Sequence, residues 1–235
     1  KAIKNVIEKI LNDNFEPSAI TDFLLRKKPR FLNGPKNPIL EPGLSARDFI
    51  NSIVLAVNEL DNSYLCIQGP PGAGKTFTAR NVIGNLMSKG KRIGISSNSH
   101  KAIINLMSGV ADYLSDNNIE GELIKIGGDN EDPIFDKSNV IFRKDGKACS
   151  DKLNDTPVCI GGTAWLFCNS ALTEEEGTEK FDYLFIDEAG QVPLANLVGM
   201  SGIARNIIVM GDQMQLGQPS QGSHPDESGE SILDY

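Results

Sequence analysis

The sequence is short of the features that mark several protein classes. No apolar run approaches the ~18 residues that would cross a bilayer, and no signal-peptide pattern opens the chain. Its four cysteines, Cys66, Cys149, Cys159 and Cys168, form no C-x-x-C pair. That excludes the usual zinc-ligand spacings and a disulfide framework. Cys66 and Cys159 fall in apolar strand-like runs, where cysteine is expected as a small buried hydrophobe. Reduced thiols fit a cytoplasmic location. Positive charge is also in deficit: 23 Lys and Arg against 31 Asp and Glu give a formal net charge of −8. Bulk charge therefore does not draw in nucleic acid, and such a partner would need local contacts. The densest basic run, RKKPR from Arg26 to Arg30, reads as a solvated turn flank.

What remains is ordinary globular material. Hydrophobic residues make up 40% and charged residues 23% of 235 positions, enough for one large domain or two small ones. The chain starts at Lys1 without methionine and ends on SILDY, which resembles the first turn of an amphipathic helix. These ends predict a piece of a longer chain. Residues Lys1 to Leu25 repeat Ile3, Val6, Ile7, Ile10 and Leu11 at helical spacing. Pro29, Pro35, Pro38 and Pro42 then break the pattern. Residues 1–43 thus read as a helical arm and Pro-rich linker, and 44–235 as the main domain. A helix resumes after Ser45, a plausible cap with Asp48 three residues on.

From there short apolar runs alternate with helical segments. The runs are YLCIQ (Tyr64 to Gln68), RIGISS (Arg92 to Ser97), LIKIG (Leu123 to Gly127), VCIGG (Val158 to Gly162), YLFID (Tyr183 to Asp187) and NIIVMG (Asn206 to Gly211). Helices are expected over Lys75 to Met87, Lys101 to Leu114 and within TAWLFCNSAL from Thr163. Such alternation predicts an α/β fold with a parallel sheet covered by helices on both faces. The polar stretch near 128–157 reads as an insertion.

GPPGAGKT, Gly69 to Thr76, fits G-x-x-x-x-G-K-[ST] between a strand and a helix. In a P-loop, backbone N–H groups converge on phosphate oxygens and glycines permit that approach. The candidate nucleotide-binding residues are Gly69, Pro70, Pro71, Gly72, Ala73, Gly74, Lys75 and Thr76. Lys75 would reach the β- and γ-phosphates and Thr76 would ligate Mg²⁺. A carboxylate is needed at the end of a neighbouring strand. YLFIDEAGQ supplies Asp187 for the metal and Glu188 as general base toward the attacking water. The expected cofactors are ATP and Mg²⁺. No Asn-Lys-x-Asp guanine tetrad occurs.

QGPPGAGKT, DEAGQ and GDQMQLGQP, in this order, resemble motifs I, II and III of superfamily 1 helicases. The QGPPG opening and the DEAxQ form resemble the branch that holds the nonsense-mediated-decay and Dna2-type enzymes (superfamily 1B). The resemblance covers roughly Leu44 to Tyr235. It implies the first of two RecA-like domains of an ATP-dependent DNA or RNA helicase or translocase. ATP would lie between the domains and single-stranded nucleic acid, DNA in preference to RNA, across them. The second RecA-like domain, with its arginine finger, would follow Tyr235 in the same chain, so the isolated piece is expected to be a nearly inactive ATPase. SQGSHPDESGESILDY resembles a bacterial subgroup in which a RecB-like nuclease precedes the helicase.

By the same resemblance Gln191 would link the ATP site to motif III, and Gln215 would read the γ-phosphate. Ser97, Asn98, Ser99 and His100, with Thr163, fall where the family touches the nucleic-acid backbone. SSNSH is equally a helix-cap sequence. Trp165 and Phe167 could stack bases, although their spacing after a strand is that of core residues. Gln213, Gly217 and Gln218 stand where family motif III carries proline, and Leu44 to Leu55 lacks the glutamine of its adenine motif. Two other functions fit the P-loop and the DE pair: a nucleoprotein-remodelling switch that does not unwind, and a small-molecule kinase.

Overall fold

The computed structural model describes residues 1–36, 39–146, 151–154, 157–169, 172, 180–212 and 230–235. Seven strands form one parallel sheet: β1 (Tyr64–Gln68), β2 (Arg92–Ser96), β3 (Glu122–Ile126), β4 (Val140–Arg143), β5 (Val158–Gly162), β6 (Phe181–Ile186) and β7 (Ala204–Gly211). Their spatial order is β1-β7-β6-β2-β5-β3-β4, with every pairing parallel. Parallel strands need crossovers, and helices supply them. After α1 (Ala2–Asn12), α2 (Ala19–Leu24) and α3 (Ala46–Asn58), which precede β1, these are α4 (Lys75–Ser88), α5 (His100–Asp116), the short α6 (Ala164–Phe167) and α7 (Leu194–Ser201).

The sheet divides the core. On one face α3, α4 and α5 pack Val57, Val82, Ile83, Leu86, Ile103, Met107 and Val110 over Leu65, Ile93, Phe185, Ile208 and Met210. On the other face lie α1, α2, α6 and α7, with Ile10, Phe23, Phe167, Leu197 and Met200 over Ile160, Leu184, Ile207 and Val209. Adjacent residues of β7 go to opposite faces, as strand geometry requires. Helix starts follow local chemistry: the hydroxyls of Ser18, Ser45 and Ser99 accept from the N–H groups of Thr21, Asp48 and Ala102.

Several expectations change. The helix predicted over 1–25 is two helices, because Asn14 and Phe15 take positive φ (50° and 59°) ahead of Pro17. Those helices do not stand apart from the sheet: α1 packs on α7, and Ile20 and Phe23 lie in the core. The polar stretch after 127 contributes β4, which extends the sheet beside β3. Its four residues are too few for periodicity to reveal. Cys66 is exposed, because β1 is an edge strand, whereas Cys159 is buried as expected. SILDY forms a single turn, Tyr235 N–H bonding to Ser231 O, and the Tyr235 ring stacks on Phe23 at 5.9 Å. No helix among the described residues is long and apolar enough to cross a membrane.

A buried ion pair ties the arm to β1. Asp22 is 1% exposed and its Oδ2 accepts from Arg30 Nε at 2.7 Å and from Ser63 Oγ at 3.2 Å. Arg30 Nη2 also donates to Asn62 O at 2.7 Å. Removing the cation would strand a buried carboxylate, which is costly. Arg30→Ala is expected to lower the stability of the chain by about 2–4 kcal/mol, read from the urea midpoint at constant m-value. An unchanged midpoint would show that the pair holds nothing.

Candidate nucleotide site

The carboxyl ends of all strands lie along one edge of the sheet, where open α/β proteins place their ligands. Gly69 to Thr76 connects β1 to α4 there. Gly72 and Gly74 have φ of +78° and +80°, and a Cβ on either would meet nothing within 4 Å. Backbone conformation, not crowding, therefore requires glycine at both. Gly74 is the N-cap of α4, so the positive end of that helix faces the loop. The Lys75 ammonium lies back over the loop, donating to Gly69 O at 2.5 Å and Pro70 O at 2.9 Å. Thr76 is exposed at the same rim.

Asp187 and Glu188 leave the end of β6. That strand is not β1's neighbour, as the sequence suggested: β7 runs between them. Gln68 pairs with Gly211, and Ile186 with Val209. Two further contacts lock the junction. Gly69 N–H donates to Gly211 O at 3.2 Å. A Cβ on Gly211 would lie 3.0 Å from Ala189 N and 3.2 Å from Gly190 N, so only glycine lets the turn after Glu188 close on β7. Asp212, buried, follows immediately. Gln213, Gln215 and Gln218 lie outside the described residues.

Burial raises the Asp187 carboxyl pKa; the Glu188 N–H, at 2.9 Å from Asp187 Oδ1, opposes that, the Glu188 charge adds to it, and the Lys75 charge opposes it. Lys75 and the carboxylate turn thus share one electrostatic site. Glu188 sits in the left-handed region (φ 54°, ψ 39°), a conformation that costs a non-glycine residue roughly 1–2 kcal/mol and clusters at functional sites. Among the described residues no three His, Cys, Asp or Glu side chains form a metal cage. A half-buried carboxylate short of compensating charge still suits a Mg²⁺ that takes its other ligands from phosphates.

The loop after β2 reaches the same turn. Asp187 N–H donates to Ser96 O at 2.8 Å. Ser97 Oγ donates to Glu188 Oε2 at 3.3 Å, and the Asn98 amide donates to Gln191 O. Ser97 is 1% exposed, so its hydroxyl faces the carboxylate and not solvent. Asn98, Ser99, His100 and Thr163 are at least partly exposed at the strand ends. Ser96 pairs with Gly162, which sets the β2 and β5 loops side by side. Ser99 caps α5 as the alternative reading had it; the Thr163 side chain makes no cap bond. Phe167 is fully buried, but Trp165 is 85% exposed, contrary to its core spacing, because α6 is a single turn with only its Leu166–Phe167 side turned inward.

The AAA domain family matches residues 47–147. The DNA replication ATP-dependent helicase/nuclease dna2 of Schizosaccharomyces pombe is 25% identical over 221 residues, covering 92% of this chain and 15% of that protein. The DNA replication ATP-dependent helicase/nuclease DNA2 of Saccharomyces cerevisiae is 28% identical over 201 residues, covering 81% of this chain and 12% of that protein. In sequence the chain is similar to Dna2-type helicase/nucleases, and its fold is that of a RecA-like α/β domain. Its fold is also similar to that of the Type ISP restriction-modification enzyme LlaGI, with a TM-score of 0.51 and 16% identity over 70% of this chain and 17% of that one. The domain therefore spans a small part of the relatives it matches.

Sequence reasoning did not find Gly211 as a packing position, Asp212 as a buried acid, or the Ser97–Glu188 bond. Each depends on which strands are adjacent, and no local pattern carries that.

A raised Asp187 pKa means that the folded state holds its proton more tightly than the unfolded chain. The ionised carboxylate then costs stability above the unfolded value, and the cost disappears as pH falls below it. Asp187→Asn is expected to raise the melting temperature of the nucleotide-free chain at pH 7 and leave it unchanged near pH 3. Equal shifts at both pH values would contradict the burial effect.

Proposed function

We propose that the chain is the ATP-binding half of an ATP-dependent motor that moves along single-stranded nucleic acid, DNA in preference to RNA. A second RecA-like domain would complete it, and a nuclease domain could be joined to it, as the names of its relatives suggest. The observation that carries the reading is the pair of bonds from Ser97 and Asn98 to the Glu188–Gln191 turn. They join the loop assigned to strand contact with the carboxylates assigned to hydrolysis. A small-molecule kinase has no need of that join.

In this reading Gly69–Thr76 binds the phosphates through backbone amides and the α4 N-terminus. Lys75 exchanges its bonds to Gly69 O and Pro70 O for β- and γ-phosphate oxygens. Thr76 and Asp187 would hold Mg²⁺, which supplies charge neutralisation at the phosphates. Glu188, oriented by Ser97, accepts the proton of the attacking water. Gln191 fixes the turn through its backbone, and Gln215 is proposed to read the γ-phosphate from the loop that leaves Asp212. Asn98, Ser99, His100 and Thr163 offer neutral donors to a strand backbone, which an acidic chain requires.

Lys75→Ala is expected to weaken Mg-ATP binding by more than about tenfold, the loss of one charge-assisted contact, with circular dichroism unchanged. The wild-type chain alone should bind ATP but hydrolyse it slowly, because an arginine finger is worth roughly 10³–10⁵ in rate. Unchanged affinity in the variant, full turnover by the isolated chain, or phosphoryl transfer to a metabolite would each defeat the reading.

Trp165 is the sole tryptophan, so its fluorescence reports its own contacts. A single-stranded oligonucleotide is expected to quench it. Trp165→Ala should cost about 5- to 100-fold in strand affinity, as loss of one stacking partner does. Tight strand binding without quenching would exclude Trp165 from the path.

A further inference from the structure

One buried cation is used by neither the phosphate site nor the carboxylate turn. Lys125, on β3, is 1% exposed. Its ammonium has three contacts and three donors: Ile126 O at 2.7 Å, Gly127 O at 2.7 Å and His100 Nδ1 at 2.9 Å. His100 is the first residue of α5, and it is exposed. Its ring lies against Gly127 and Gly128, which have φ of +68° and +81°; a Cβ on Gly128 would come within 3.3 Å of Nδ1. The backbone and Lys125 together therefore fix the inner edge of the imidazole and leave Nε2 as its remaining polar atom.

We propose that Lys125 positions His100 as a neutral Nε2–H donor to a phosphate of the bound strand. This rests on the nucleic-acid reading above. An ammonium that gives all its protons can only donate to Nδ1, so the ring's proton must sit on Nε2. The same contact opposes a second proton on the ring. Burial and then the Lys125 charge lower the His100 pKa, against the opposite pull of Asp129. Burial likewise brings Lys125 down to about 8, again against Asp129, so the lysine is still largely protonated at neutral pH. Lys101, next to His100 on α5, is paired with Asp132 at 3.0 Å, and Arg143, in register with Ile126 on β4, donates to Phe142 O. A fixed neutral donor in the first turn of α5 adds to the helix N-terminus without the desolvation cost of a second cation.

Two variants and one spectrum test the proposal. Imidazole nitrogen–proton NMR of the chain, with His224→Ala to leave one histidine, should show His100 neutral with its proton on Nε2 at pH 7. Lys125→Met removes the charge that opposes a second proton and should move the ring's protonation up toward the ordinary histidine value of about 6.5, so that affinity for a labelled oligothymidylate becomes pH-dependent as pH falls toward about 6. Wild-type affinity should be flat there. His100→Phe keeps the ring packing and removes the donor, and should cost about fivefold at pH 7, the worth of one neutral hydrogen bond. ATP affinity should be unchanged in both variants. A wild-type ring that is charged or protonated on Nδ1, or His100→Phe binding the strand as wild type does, overturns the proposal while the nucleic-acid reading stands. Failure of the wild-type chain to bind the oligonucleotide overturns both. Should Lys125→Met not fold, the wild-type spectrum and His100→Phe decide the matter without it.

Discussion

The backbone pairing of β7 between β1 and β6 is the constraint on which the site depends. It sets the P-loop strand and the carboxylate strand two spacings apart, roughly 10 Å. The Gly69–Gly211 bond and the contact of Gly211 with the 189–190 amides convert that spacing into a fixed relation between Lys75 and Asp187. A side chain on Gly211 would push the carboxylate turn away from β7. The left-handed backbone of Glu188 persists under the same restraint, since the turn is held from β7 on one side and from Ser96, Ser97 and Asn98 on the other.

The charge economy of the molecule follows from burial. Asp187 is a carboxylate in short supply of compensation, which suits a site that takes up a cation with its ligand. Lys125 is a buried charge whose three donors all find acceptors nearby, and Asp22 is one whose Oδ2 is met by Arg30 and Ser63. The strand-end loops instead expose hydroxyls, an amide, an imidazole and one indole. An acidic chain with neutral donors along one edge can accept a polyanion by geometry without attracting it by bulk charge. The two halves of the proposed motor cycle thus meet at one loop, residues 97–100, bonded to the carboxylate turn at one end and to β3 through His100 at the other.

Much of this was legible in the residues. The P-loop and the DEAGQ turn are local chemistry, so their residue types, spacing and flanking strand and helix suffice to recognise them. Strands such as Val158–Gly162, buried on both faces, read as unbroken apolar runs. Other features were hidden for physical reasons. The break at Asn14–Phe15 is a positive-φ turn inside a helix-periodic pattern. The strand Val140–Arg143 is too short to show a period, and α7 is too apolar to show an amphipathic one. Trp165 has core spacing on a helix too short to bury it.

By itself the sequence determined the glycine-loop pattern, the adjacent acidic pair and the alternating α/β plan, because each is written in contiguous residues. Tertiary structure alone decided which strand separates Lys75 from Asp187, that Ser97 faces Glu188, and that Lys125 meets His100. Those contacts join residues 25 to 91 positions apart, and a parallel sheet brings such residues together only through its strand order and crossovers.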